Sequence, residues 1–273
     1  MIDEKRAAES QRLLALLESA RAEYGREAMR RLEQPILALA GLAPMAETGD
    51  DLRYPDGLFI PELKSAPWLP HDFVPDVALL EAAYPAMRAE LDLLLQSRRG
   101  FQPFDEGGDG FYPGNVSGAW NVFYVVLGGR EAPGATAWCP NTLAALRTLP
   151  NLGTSAMFSA LTPGTHLEAH SGPTNAVISL SMGLIIPAGC VIRVGTEERS
   201  WREGECLVFD DTYEHEVWQR GDATRFVMLL EAWHPELTPA ERKVVERVVW
   251  APGDVEAQLE KRRTMLDGQE WWV

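Results

Sequence analysis

The 273-residue chain predicts a mainly β fold, an antiparallel sandwich or barrel with helices packed around it. From Thr154 onward, short β-branched and apolar runs follow one another with Gly and Pro between them: S-A-M-F-S-A-L, A-V-I-S-L-S-M-G-L-I-I, C-V-I-R-V-G, E-C-L-V-F and F-V-M-L-L-E-A-W. The first hundred residues instead carry apolar positions at helical spacing. Of the five histidines, His166, His170 and His215 fall in two stretches, Ser159–Asn175 and Phe209–Trp218, with strand-like runs between them. An all-β scaffold brings such distant ligands to one point.

Taken in order, residues 4–41 are rich in Ala, Leu, Glu and Arg, and Leu13, Leu16, Leu17, Ala20, Tyr24, Met29 and Leu32 give one or two amphipathic helices. Their expected roles are packing on the core, a lid or a homodimer contact. Residues 41–56 turn to Gly, Pro and Asp and read as loop. Three prolines make 57–75 an extended connector anchored by aromatics. A helix is expected over 75–98, opened by Pro75 and closed by Arg98 and Arg99, an order that suits the helix dipole. After a Gly-rich loop, Trp120–Leu127 is a strand closed by Gly128 and Gly129, and 140–149 is a short helix. At the far end T-P-A-E-R starts a helix with Thr238 as N-cap and Pro239 in the first turn. The terminal Glu270-Trp271-Trp272-Val273 is expected to dock on the body or on a partner. One domain spans 1–273: helical decoration and connector to residue 100, a β core over 101–237 and a helical tail from 238.

Composition narrows the function. A formal net charge of -15 disfavours nucleic acid and anionic lipid as partners. No apolar run approaches the ~20 residues of a membrane span, and the charged N-terminus is not followed by a secretory signal's apolar segment. Cys139, Cys190 and Cys206 lack C-x-x-C spacing and outline neither a disulfide framework nor a zinc knuckle, so a reducing cytoplasm is the expected setting.

Imidazole suits iron, zinc and copper. A histidine at a strand end is nevertheless more often a hydrogen-bonded structural residue, and His170 and His215 stand 45 positions apart, so only the fold can pair them. The position two after His170, where a 2-His-1-carboxylate site places its acid, is Gly172. The remaining acids are Glu168, Asp210 and Asp211; the aspartates of F-D-D-T-Y-E-H are expected to bond turn amides or the His215 ring. In a regular strand His166 and His170 would point the same way about 13 Å apart, and only a bend at Glu168-Ala169 would bring both to one metal.

Taken together, P-G-T-H-L-E-A-H-S-G-P-T-N at 163–175, G-L-I-I-P at 183–187, F-D-D-T-Y-E-H-E-V-W at 209–218, Arg225 and W-H-P-E-L-T-P at 233–239 closely resemble the aspartyl/asparaginyl β-hydroxylase family. F-Q-P-F at 101–104, W-N-V-F-Y at 120–124 and C-P-N-T at 139–142 extend the likeness, which covers roughly residues 57–240. The resemblance implies a double-stranded β-helix (jelly-roll, cupin-like) core and a non-haem iron(II)/2-oxoglutarate-dependent dioxygenase that hydroxylates an unactivated C–H bond. It implies His170 and His215 as the metal ligands, with no acid at Gly172. It further implies Arg225 as the grip on the far carboxylate of 2-oxoglutarate and Ser159 as its hydroxyl partner, while His166 matches a histidine that is not a ligand. The chain departs from the family in the next strand, where a pattern like R-L-R-x-H-L-G-L is replaced by Val177, Ser179 and Ser181 at the basic positions. Ser179 and Ser181 remain as hydroxyl donors for the cosubstrate. Each lost charged hydrogen bond removes about 1.5–3 kcal/mol of carboxylate binding. The expected partners are therefore dioxygen and a neutral or apolar small molecule, amino-acid-derived or carrier-tethered, rather than a peptidyl aspartate. The alternatives are an iron oxygenase that does not use 2-oxoglutarate, a non-catalytic jelly-roll binding protein, and halogenation at the open metal position.

Overall fold

The computed structural model describes residues 2–104, 116–251 and 253–267; the tail from Glu270 and most of the loop after Phe104 lie outside them. Among the described residues, twelve strands form two antiparallel sheets. The larger contains β1 (Gln102–Pro103), β3 (Trp120–Leu127), β4 (Arg130–Glu131), β5 (Leu152–Leu161), β7 (Val177–Ile185), β10 (Cys206–Phe209) and β12 (Arg225–Trp233), in the order β1-β3-β5-β12-β7-β10 with β4 hairpinned onto β3. The smaller contains β2 (Val116–Ser117), β6 (His166–His170), β8 (Cys190–Val194), β9 (Glu197–Arg199) and β11 (His215–Gln219), in the order β2-β6-β11-β8-β9. Apart from the β8–β9 hairpin, successive strands from β5 to β12 alternate between the sheets, which is the winding of a double-stranded β-helix.

The period-2 pleat divides the large sheet cleanly. Its outer face, with Phe123, Phe158, Met228, Leu180 and Met182, packs on helices α3 (Asp76–Ala82), α4 (Tyr84–Ser97) and α6 (Pro140–Leu146). Its inner face brings Leu161, Val227 and Phe209 against Leu167, Ile192 and Val217 of the small sheet. Helices α1 (Ile2–Tyr24), α2 (Arg30–Leu39) and α7 (Pro239–Val249) close one end, where Leu13, Leu17, Leu32, Ile36, Val244 and Val245 pack on Val177 and Trp233. The apolar stripe of α1 is thus buried within the chain. Thr238 caps α7 with a capping box: its hydroxyl accepts from Glu241 N at 3.2 Å, and the Glu241 carboxylate accepts from Thr238 N at 2.8 Å.

The helix expected over 75–98 is two helices. Pro85 lacks the N–H that would continue the ladder, so the chain turns at Ala83 before α4 begins. Helices α5 (Ala135–Trp138) and α8 (Asp254–Asp267) complete the set. Among the described residues no helix is long and apolar enough to cross a membrane.

Candidate active site

His170 ends β6 and His215 opens β11, and the two are direct cross-strand partners. Their rings lie 4.0 Å apart, centroid to centroid, at 56°. Nδ1 of His170 bonds Glu168 O at 2.7 Å and Nδ1 of His215 bonds Tyr213 O at 3.1 Å. A carbonyl oxygen only accepts, so each ring carries its proton on Nδ1 and its lone pair on Nε2. Burial lowers the pKa of His170, and burial followed by the neighbouring His170 lowers that of His215 to about 3. Both rings are neutral at physiological pH, the form that binds a metal.

His166 is elsewhere. His215 faces His170 while Val217 faces Leu167, so three steps on β6 match two on β11 and a β-bulge sits at Glu168-Ala169. The extra residue breaks the expected same-face relation. Leu167 and His170 face the interior, whereas His166 lies on the outside, bonded to Glu216 at 2.6 Å and stacked on Trp218 with centroids 5.4 Å apart.

Gly172 and Asp211 occupy one place. A Cβ built on Gly172 would lie 2.5 Å from Asp211 Oδ1 and 2.6 Å from its Cγ. Gly172 N donates to Asp211 O at 2.6 Å, and the Asp211 carboxylate accepts from Ser179 Oγ at 2.9 Å. The turn after β10 therefore puts its own carboxylate where a side chain at 172 would stand. Asp210 does different work: it accepts from Thr212 N at 3.0 Å, from Ser65 at 2.5 Å and from Arg53 at 2.8 Å.

Deeper along the inner wall lies Arg225, only 4% exposed, with its guanidinium 4.8 Å from the Trp201 ring centroid. Its Nε is buried without a hydrogen-bond partner, and burial lowers its pKa to about 10. A buried guanidinium with an unpaired Nε can take an anionic ligand such as a carboxylate. Two serines present hydroxyls in matching fashion: Ser159 Oγ accepts from Trp120 Nε1 at 2.9 Å, and Ser181 Oγ from Trp201 Nε1 at 2.8 Å. With its acceptor side used by an indole, each hydroxyl has its proton to donate. Ser159 and Arg225 belong to adjacent strands, Val227 being the direct partner of Ser159. Val177 instead packs on the helices that close the barrel, among Trp233 and Leu237.

Sequence reasoning missed the connector's part in the site. Arg53 is 6% exposed and lies between Phe59 and Tyr213, with ring centroids 4.6 and 5.0 Å from its guanidinium carbon. It donates to Thr212 Oγ1 at 2.9 Å as well as to Asp210. Trp68 packs edge-on against Phe209 at 5.7 Å. The segment over 52–69 thus straps down the turn that carries Asp211 and leads into His215. Nothing in D-L-R-Y announces this, since its partners lie some 160 residues on.

Two facing neutral imidazoles and a buried arginine thus share one jelly-roll interior. The chain belongs to the aspartyl/asparaginyl beta-hydroxylase family, whose model matches residues 81–235. It is 38% identical over 169 residues to the ornithine lipid ester-linked acyl 2-hydroxylase of Rhizobium tropici, covering 61% of this chain and 60% of that protein. It is 36% identical over 210 residues to aspartate beta-hydroxylase domain-containing protein 1 of Homo sapiens, covering 74% of this chain and 53% of that protein. The chain thus spans somewhat over half the length of these relatives. Among solved structures, a Pseudomonas putida prolyl-4-hydroxylase superposes with a TM-score of 0.39 at 17% identity, over 62% of this chain and 90% of that one.

Proposed function

We propose that the protein is an iron(II)/2-oxoglutarate-dependent oxygenase that hydroxylates an unactivated C–H bond of a small molecule. One observation carries this reading: two neutral imidazoles face each other in the same interior as Arg225, a buried guanidinium whose Nε has no partner. The residues fit the groups that the family implies. His170 and His215 would hold the metal through Nε2, and Arg225 with Ser159 would hold the far carboxylate of 2-oxoglutarate. Iron with 2-oxoglutarate and dioxygen supplies the oxidising power to turn C–H into C–OH, with succinate and carbon dioxide as coproducts.

The chain's own residues bind, orient and exclude water. The backbone carbonyls of Glu168 and Tyr213 fix the ring tautomers; Trp120 and Trp201 orient the serine hydroxyls; Leu161, Val227, Phe209 and Val217 keep the interior dry. The identity of the Rhizobium relative favours a second substrate reading, the acyl chain of a lipid. Ser179 and Ser181 suit either, because they present hydroxyls where the resemblance implies basic side chains. A cytoplasmic location is part of the proposal, supported by three cysteines that are all free.

Anaerobic titration of the iron(II) protein with 2-oxoglutarate tests the proposal. A weak visible charge-transfer band is expected, followed by succinate on admission of air. Absence of both, with iron bound, leaves an oxygenase without 2-oxoglutarate; absence of iron binding leaves a binding protein.

A further inference from the structure

Glu231 is an acid in an otherwise apolar strand, F-V-M-L-L-E-A-W. Its neighbours Leu230 and Ala232 pack on the outer face, so the alternation of β12 turns Glu231 inward, on the same wall as Arg225, Val227 and Leu229. In register it is the direct cross-strand partner of Ser179. Phe209 is the partner of Ser179 on the other side and lies 6.0 Å from the His215 ring, while Ser179 itself bonds Asp211. Phe209, Ser179 and Glu231 therefore form one row across the wall.

The carboxylate accepts from Thr154 Oγ1 at 2.9 Å and from the backbone amides of Thr154 and Ser155. These bonds do not offset its burial, which pushes its pKa up. Among the described residues it enters no ion pair. Arg225, the cation on the same strand face, is six residues away, about 20 Å along a strand. The register shows what a side chain at position 179 would meet: directly opposed side chains on one face sit ~5 Å apart and pair when oppositely charged. Here a serine stands there, and its hydroxyl turns to Asp211. The acid thus faces a hydroxyl and not a cation across the strands.

We infer that Glu231 is a specificity-determining residue that takes a cationic group of the substrate, an ammonium, into the place that a basic side chain at position 179 would occupy. This rests on the oxygenase reading for the meaning of "substrate", but its test does not use iron. The ammonium can belong to a free amine or to the headgroup of a lipid, and the two sources separate by chain length.

The test is binding of dodecylammonium, dodecanol and dodecanoate to the metal-free protein at pH 7.5, below their micellar range, read by tryptophan fluorescence. Butylammonium is a parallel arm. The wild type is expected to bind dodecylammonium about ten-fold or more tighter than dodecanol, as a charge-assisted hydrogen bond provides. Glu231→Gln and Ser179→Arg should each bring that ratio close to one, the second by supplying the missing cation from within. Non-specific attraction to the acidic surface does not imitate this result, because each variant changes the net charge of -15 by only one. A wild type with no preference for the ammonium overturns the inference, and so does a preference that survives in Glu231→Gln. If Glu231→Gln does not fold, by circular dichroism, Ser179→Arg decides alone. Butylammonium bound as selectively as the long chain points to a free amine; selectivity confined to dodecylammonium points to a lipid. A protein that forms succinate but ignores the ammonium loses only this inference. One that selects the ammonium but forms no succinate loses only the oxygenase reading.

Discussion

Gly172→Ala is a one-carbon change with a calculable effect. The new methyl would sit 2.5 Å from Asp211 Oδ1, 2.6 Å from Cγ and 3.0 Å from Oδ2. Non-bonded heavy atoms settle at about 3.5–4.0 Å, so the carboxylate must swing away by roughly an ångström. That motion breaks the 2.9 Å bond from Ser179, a charged hydrogen bond worth about 1.5–3 kcal/mol. Forcing an extra carbon into a filled site costs a further ~1–3 kcal/mol. A loss of about 3–5 kcal/mol is expected where Asp211 is present, and much less where it is not. Urea unfolding of wild type, Gly172→Ala, Asp211→Ala and the double variant measures this as a double-mutant cycle. The double variant should be at least ~2 kcal/mol more stable than the sum of the single effects predicts. Additive effects would refute the shared occupancy of that space. Cobalt(II) absorption of the four proteins would show whether the swing also changes the metal environment.

Arg225→Met should separate stability from ligand binding. The pKa of Arg225 falls from 12.5 to about 10 through burial, a penalty of about 3 kcal/mol; the variant should therefore unfold at higher urea than the wild type while losing the 2-oxoglutarate charge-transfer band, and a destabilised variant would show that the guanidinium has partners in the fold. Arg53→Met removes one half of a buried ion pair with side chains 6% and 1% exposed and should cost about 3 kcal/mol, at the low end for such pairs because Thr212 and Ser65 still donate to Asp210; a cost under ~1 kcal/mol would mean the strap is held by its apolar contacts alone. The pH dependence follows from His215, whose folded pKa of about 3 lies below the ordinary imidazole value of 6.5: the unfolded chain takes up the proton first, so its contribution is intact above pH 6.5 and is lost as pH falls toward 3. At pH 5 this amounts to about 2 kcal/mol relative to pH 7.5; His215→Gln should lose that much less between the two pH values, and equal losses would show that His215 is exposed to solvent protons in the folded state.

Strand periodicity made the second half of the chain legible, because every run in 154–233 keeps an apolar face toward one layer and the pleat does the rest. The helices were legible in kind but not in their breaks: Pro85 splits one of them at a point where the apolar spacing runs on undisturbed. The paired histidines could be named from motif order, whereas their tautomers could not, since these depend on the carbonyls of Glu168 and Tyr213. The bulge at Glu168-Ala169 was hidden because it exists only in the count of residues on β6 against β11. Asp211 in the space of Gly172, Arg53 beneath the turn before β11 and Glu231 opposite Ser179 are all contacts between segments far apart in the chain. Register creates such contacts and no local pattern foretells them.

The same bulge bears on how such a pocket can change over evolutionary time. The atoms that hold the protons of both imidazoles are main-chain oxygens, and no amino-acid replacement can delete a main-chain oxygen. The ligands' readiness for metal is thereby insulated from mutation of the wall around them, and only an insertion or deletion in β6 or the turn before β11 would disturb it. Side chains of the wall can therefore be replaced one by one while both imidazoles keep the same tautomer.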